Sequence, residues 1–176
     1  MPNLTVPVTE NDHILGSIEA PLTLLEYGDY QCALCKLANP VLKQIKKEMG
    51  DQMRFVFRNF PLQTSHPDAF MAATAAEAAG MQQKFWEMHD YLYEHQKELS
   101  PENLIAFAEA LKLNLEQFKE DLKSEFISKK LEEDFRGGVR SGVNGTPCFF
   151  INGERYDGGL SYDELLSTLK QKLTST

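Results

Sequence analysis

Cysteine is scarce in this chain: three among 176 residues, too few to staple a fold together in place of a hydrophobic core. Long apolar runs are missing as well, and no stretch approaches the ~20 residues that a transmembrane helix needs. The opening residues Met1-Pro2-Asn3-Leu4-Thr5 lack both the basic and the apolar region of a signal peptide. As written, the chain is therefore expected in the cytoplasm; if it is a mature or trimmed form, the expectation moves to the periplasm or another extracytoplasmic space. Positive charge is in deficit, with 18 Lys and Arg against 26 Asp and Glu for a net charge of −8. That balance excludes non-specific binding to nucleic acid and a polybasic membrane contact, both of which need clustered cations. Internal repeats and low-complexity segments are absent too, and a 42% hydrophobic fraction at this length suits one ordinary globular domain over residues 1–176.

Hydrophobic periodicity supplies an order of elements. Leu22-Thr23-Leu24-Leu25-Glu26-Tyr27, bounded by Pro21 and Gly28, reads as a buried strand. From Leu34, the apolar residues Leu37, Ala38, Val41, Leu42, Ile45 and Met49 recur at helical spacing up to Gly50, with Pro40 expected to bend the helix. Met53-Arg54-Phe55-Val56-Phe57 is the next strand, which makes a βαβ unit with parallel strands and a right-handed crossover. From Pro67 to about Val139 the pattern turns helical and amphipathic throughout, with starts marked by Ser100-Pro101 and by Asn114 with Gln117. Gly137-Gly138 is expected to end the last of these helices early. Cys148-Phe149-Phe150-Ile151 and Glu154-Arg155-Tyr156 flank an Asn152-Gly153 hairpin turn, and Ser161 with Glu164 caps a final helix. The fold class is thus α/β, with a central mixed sheet of βαβ…ββα order and an all-helical insertion over 66–140.

Two of the three cysteines form Cys32-Ala33-Leu34-Cys35, where the first strand hands over to the first helix. At a helix N-terminus, unpaired N–H groups and the dipole favour a thiolate, and a second cysteine one turn later returns to the same face. The spacing suits an outer sulfur that attacks a disulfide and an inner one that resolves the mixed disulfide. A zinc site would need two more ligands, and neither a second Cys-x-x-Cys nor a close His pair is present; His89 and His95 sit on different sides of a helix. No metal and no dissolved cofactor is expected. Asp29 nearby would oppose the Cys32 thiolate, and no histidine stands between the cysteines to help it.

Taken in order, several segments resemble the DsbA-like branch of the thioredoxin superfamily. They are Leu24-Leu25-Glu26-Tyr27 through Cys35, Pro40, Arg58-Asn59-Phe60-Pro61-Leu62, His66-Pro67, Phe85-Trp86-Glu87-Met88-His89 and Gly142-Val143-Asn144-Gly145-Thr146-Pro147. The resemblance implies a thioredoxin-like fold and disulfide exchange with protein substrates. It implies that Thr146-Pro147 is a cis-proline loop beside the cysteines, leaving Thr146 backbone groups to pair with an extended substrate. It also implies that Glu26 is a buried acid beneath the inner cysteine, able to move its proton. Cys148 departs from the pattern and, by alternation, points away from what Thr146-Pro147 faces; a buried small hydrophobe is its expected part. The expected partners are protein dithiols or disulfides and a redox partner such as a reductase, glutathione or a membrane oxidase. The competing account is a thioredoxin-fold module that holds a metal or a peptide without turnover, with Cys148 as a third thiolate.

Overall fold

A computed structural model describes residues 2–175. Five strands form one mixed sheet in the order β1-β3-β2-β4-β5. Strands β2 (Leu22–Gly28) and β3 (Met53–Asn59) are parallel and are joined by α1 (Ala33–Met49) and a 3₁₀ turn, as the βαβ pattern requires. Strand β4 (Cys148–Ile151) runs antiparallel to β2 and turns back through Asn152-Gly153 into β5 (Glu154–Tyr156). Both turn residues have positive φ, 48° and 84°, the combination for which Asn-Gly is suited. Helix α7 (Tyr162–Thr174) follows, with Ser161 accepting from Glu164 N–H; the Glu164 carboxylate takes Gly159 N–H instead of returning to its cap.

Strand β1 (His13–Leu15) has no counterpart in the sequence reading. It pairs antiparallel with β3, while Leu4 N–H and Pro2 C=O bond to Gly153 and Arg155 beside β5. Residues 2–15 thus run from one sheet edge to the other and shield both from pairing with a second chain. Arg58 ties this strap down by donating to the carbonyls of Val6 and Pro7 and to Asp12. Three residues long, β1 carries too little alternation for a sequence to announce it.

Five helices lie between β3 and β4: α2 (Ala69–Gly80), α3 (Phe85–Glu94), α4 (Pro101–Ala110), α5 (Leu115–Asp121) and α6 (Glu125–Arg140). Two expectations need correction here. Helix α2 is not amphipathic: its alanines at 69, 72, 73, 75, 76, 78 and 79 are all buried, because small side chains let it sit inside the helical block. Gly137-Gly138 does not end α6, which continues to Arg140. A Cβ on Gly138 would stand 2.7 Å from two ring carbons of Phe60, so the glycine marks where helix and sheet meet closely.

A third correction concerns α1. Its buried stripe is Cys35, Ala38, Leu42, Ile45 and Met49, whereas Leu34 and Leu37 are exposed beside the cysteines. The helix continues unbroken through Pro40, which lies on the exposed side. The sheet separates two apolar clusters. Leu22, Leu24, Phe57, Phe149 and Ile151 face α1, α7 and the helical block, while Leu25, Tyr27, Val56, Cys148 and Phe150 face the N-terminal strap and Phe135 of α6.

Candidate active site

Cys32 is the N-cap of α1, and its extended backbone (φ −75°, ψ 121°) leaves the first helical N–H groups open towards its sulfur. Only 6% of the residue is exposed, and Cys35, one turn on, is fully buried. All three cysteines are free thiols. The two sulfurs of the motif sit unequally. Cys32 is lowered to about 5, first by the Cys35 thiol donating to it, against the cost of burial, and then by Thr146 and the N–H groups of Cys35 and Leu34. Cys35 is raised well above 9, chiefly by burial and then by the same bond to Cys32 and the nearby Glu26 carboxylate.

Glu26 stands at the middle of β2, paired across to Phe57 on one side and Phe149 on the other. Strand alternation puts it on the same sheet face as Leu24, and hence on the side of Cys35. It is 1% exposed, and its Oε1 has no hydrogen-bond partner among the described residues. A Cβ on Gly28 would come within 3.1 Å of that oxygen and 2.4 Å of the Phe57 ring, so the glycine leaves room for the carboxyl. Burial, and secondarily the charge of Cys32, raises Glu26 to about 8. A neutral acid is therefore held beneath the inner thiol at neutral pH.

The Thr146-Pro147 bond is cis. Cys32 Sγ lies 3.3 Å from the Thr146 carbonyl, which accepts from the thiol, while the Thr146 hydroxyl is buried with no hydrogen-bond partner among the described residues. That hydroxyl is able to donate to Cys32 once the sulfur is a thiolate. Cys148, directly after the cis-proline, belongs to the apolar cluster on the other face of the sheet, and burial is the main influence raising it.

The turn from Asp29 to Cys32 is tied mostly to the helical block. Asp29, expected to oppose the thiolate, is engaged by Gln31 N–H, Leu62 N–H and His66 Nδ1 at 2.7, 2.9 and 2.8 Å. Gln31 and Asp68 exchange two hydrogen bonds, and the Tyr30 hydroxyl meets Nδ1 of His89 at 2.9 Å. His89 is fully buried and held neutral, its pKa depressed to about 3 chiefly by burial. Gln96 donates to the carbonyls of Tyr30 and Cys32. Sequence reasoning left Gln31 of this turn, and His66, Asp68 and Gln96, without a part in the site, since nothing local links the turn to polar residues 37 to 64 positions away.

The family model described as Thioredoxin matches residues 8–171. The chain belongs to this thioredoxin family. Among solved structures, this thioredoxin-family chain is similar to BdbD from Bacillus subtilis, at 28% identity and a TM-score of 0.84 over 96% of each chain. It is also similar to a thioredoxin-like oxidoreductase from Silicibacter pomeroyi DSS-3 (23%, TM-score 0.85, 96% and 95%). The thiol-disulfide exchange protein alpha-DsbA2 from Wolbachia pipientis shares 20% identity at a TM-score of 0.81, over 94% of this chain and 87% of that one. The likeness to the DsbA-like branch that the motifs carry in the sequence thus holds in the fold. A curated relative, Na(+)/H(+) antiporter NhaA 1 of Salinispora arenicola, is 42% identical over 99% of this chain and 27% of its own length. The chain spans about a quarter of the length of the curated relatives it matches. No helix among the described residues is long and apolar enough to cross a membrane.

Proposed function

We propose that this chain is a thiol-disulfide oxidoreductase that passes a disulfide to protein dithiols through Cys32 and Cys35. One observation carries the reading: two thiols one helical turn apart, the outer lowered to about 5 and the inner raised well above 9. In the disulfide form, a substrate thiolate attacks Cys32, the more exposed sulfur, and Cys35 leaves as a thiolate that takes a proton. Glu26, protonated near neutral pH, is the donor closest in kind to that need. A second substrate thiolate then attacks the substrate sulfur of the mixed disulfide, and Cys32 departs as a stable thiolate, a good leaving group. The substrate leaves oxidised, and two electrons stay with the pair, Cys35 as a thiol holding the proton it took and Cys32 as a thiolate, until an oxidant partner removes the electrons. Thr146-Pro147 presents the substrate strand, with the exposed Leu34 and Leu37 offering it an apolar rim.

Direction follows from the thiolate. A lowered Cys32 stabilises the reduced form and so makes the disulfide a better oxidant; the value lies between about 7 for thioredoxin and about 3.5 for the strong oxidant DsbA. Such a donor serves an oxidising compartment outside the cytosol, the second of the two placements considered above. Residues 66–140 act as a helical insertion within one domain, a reading supported by the core that α2 to α6 share with α1 and α7. The metal-module account needs Cys148 beside the pair, and its place across the sheet argues against that.

Replacing Cys35 with Ser is expected to trap mixed disulfides through Cys32, mapped by mass spectrometry after non-reducing digestion. Trapping at Cys148 would overturn the roles. Failure of the unmodified protein to reach equilibrium with any glutathione buffer would overturn the function.

A further inference from the structure

Four side chains of the helical block grip the turn that carries Cys32: His66, Asp68, His89 and Gln96. The first three act on Asp29, Gln31 and Tyr30. Of the four, Gln96 alone reaches the main chain of Cys32. Its Nε2 carries two hydrogens, and one goes to the Tyr30 carbonyl and the other to the Cys32 carbonyl, each at 2.8 Å. The Cys32 carbonyl also opens the α1 ladder by accepting Lys36 N–H at 3.2 Å, so the bond from Gln96 is the shorter of the two.

We propose that Gln96 is a positioning residue for Cys32: by fixing the carbonyls on either side of Gln31, it keeps the Cys32 sulfur against the leading N–H groups of α1. The inference rests on the reading of Cys32 as the exchanging thiol. Its physical basis is torsional. The ψ of 121° at the N-cap sets where the Cys32 carbonyl points and, through the same bond, where the following N–H groups stand relative to Sγ. The N–H groups of Leu34 and Cys35 lower the thiol, and their aim depends on that torsion. Gln96 is itself anchored. It lies in the turn after α3, whose His89 and Tyr93 pack their rings against Tyr30 at 5.4 and 5.0 Å, and Leu99 is buried just beyond it. The helical block thereby acts on the thiolate by way of a backbone carbonyl, without touching the sulfur.

The test is Gln96→Met, which keeps the length of the side chain and removes both donors. The thiolate absorbance of the reduced protein, followed against pH, is expected to show the Cys32 midpoint raised by about half a unit. Equilibrium with glutathione should move about threefold towards the disulfide form, the same half unit read as a population. Gln96→Lys, which restores donors, should bring the midpoint back to the unmodified value or below. A folded Gln96→Met protein with an unchanged midpoint and an unchanged glutathione equilibrium, even with a lower Tm, would show Gln96 to be mere packing and overturn the proposal. Should that variant not fold, the NMR signals of the Gln96 side-chain amide in the unmodified reduced protein decide. Slowed exchange supports the two hydrogen bonds, and free exchange overturns the proposal. An unmodified protein inert to glutathione would strike the parent reading instead, leaving the Cys32 titration to judge Gln96.

Discussion

Glu26 and Glu77 are the same residue type, 1% and 5% exposed, on elements that border one apolar cluster, yet they end in opposite states. Burial raises both. At Glu26 no described residue offsets it: Oε1 has no partner among them, the flanking strand residues are phenylalanines, and the group is pushed up to about 8. At Glu77, His13 Nε2 lies 2.9 Å from both carboxylate oxygens, Asn59 donates at 2.8 Å and Lys130 stands at 3.5 Å; together they outweigh burial and hold the acid below 4.5. Burial alone thus does not decide whether a carboxyl is charged; the donors within reach do. One glutamate is a structural anion that helps tie the strap to the helical block, and the other is an acid kept protonated on the side of the Cys32 and Cys35 thiols.

Removing the partnered glutamate should give the largest effect. Glu77→Leu takes the carboxylate from His13 and leaves Lys130 and Asn59 with Asp134, and is expected to cost about 3–5 kcal/mol in denaturant unfolding, as for other broken buried pairs. A loss under about 1 kcal/mol would erase the contrast.

Glu26→Gln should act in the opposite sense. A carboxyl raised in the folded state favours folding below its unfolded value of 4.5, and that benefit drains away as pH rises through about 8. The variant is therefore expected to gain about 2–4 kcal/mol near pH 8 relative to the unmodified protein, with little difference near pH 4. Glu77 carries the reverse sign: its contribution is present above 4.5 and is lost on acidification, so the two variants should flatten opposite limbs of the stability profile. Stability curves from pH 3 to 9 check both. Because the Cys32 charge adds to the rise at Glu26, the oxidised protein should show the Glu26 limb shifted to lower pH.

The smallest expected effect sharpens the account of Glu77. His13→Phe keeps the ring stacked on Phe85, 3.4 Å away, and removes the donor. A loss of about 1–2 kcal/mol, with the acid limb moved to higher pH, is the outcome expected of one hydrogen bond to a buried charge. An acid limb left where it was would assign Glu77's ionisation to Lys130 and Asn59.

How far the sequence could be read follows the same division. Asn152-Gly153, Ser161 and the Ser100 and Asn114 caps were legible because each depends on a few neighbouring residues. Glu26 and Thr146-Pro147 were legible through family resemblance, and the structure brings them to the cysteine face. Leu34 and Leu37 misled, since a helix with two adjacent apolar rows does not say which row meets the core. Gly137-Gly138 misled because a glycine reads as a helix stop where it in fact grants close approach to Phe60.

By itself, then, the sequence determined the order of strands and helices from β2 onward, the junction at which Cys32 and Cys35 sit, and the alternation that sends Cys148 across the sheet. These follow from backbone geometry with periods of about 2 and 3.6 residues, a range over which a chain speaks only of its neighbours. Tertiary structure alone decided that residues 2–15 strap both sheet edges, that Glu77 is charged while Glu26 is not, and that Gln96 holds Cys32. Those outcomes depend on contacts between residues 64 apart, as for His13 with Glu77 and for Cys32 with Gln96, and 114 apart for Cys32 with Thr146. Dielectric surroundings and hydrogen-bond partners exist only once the chain has brought such distant residues together.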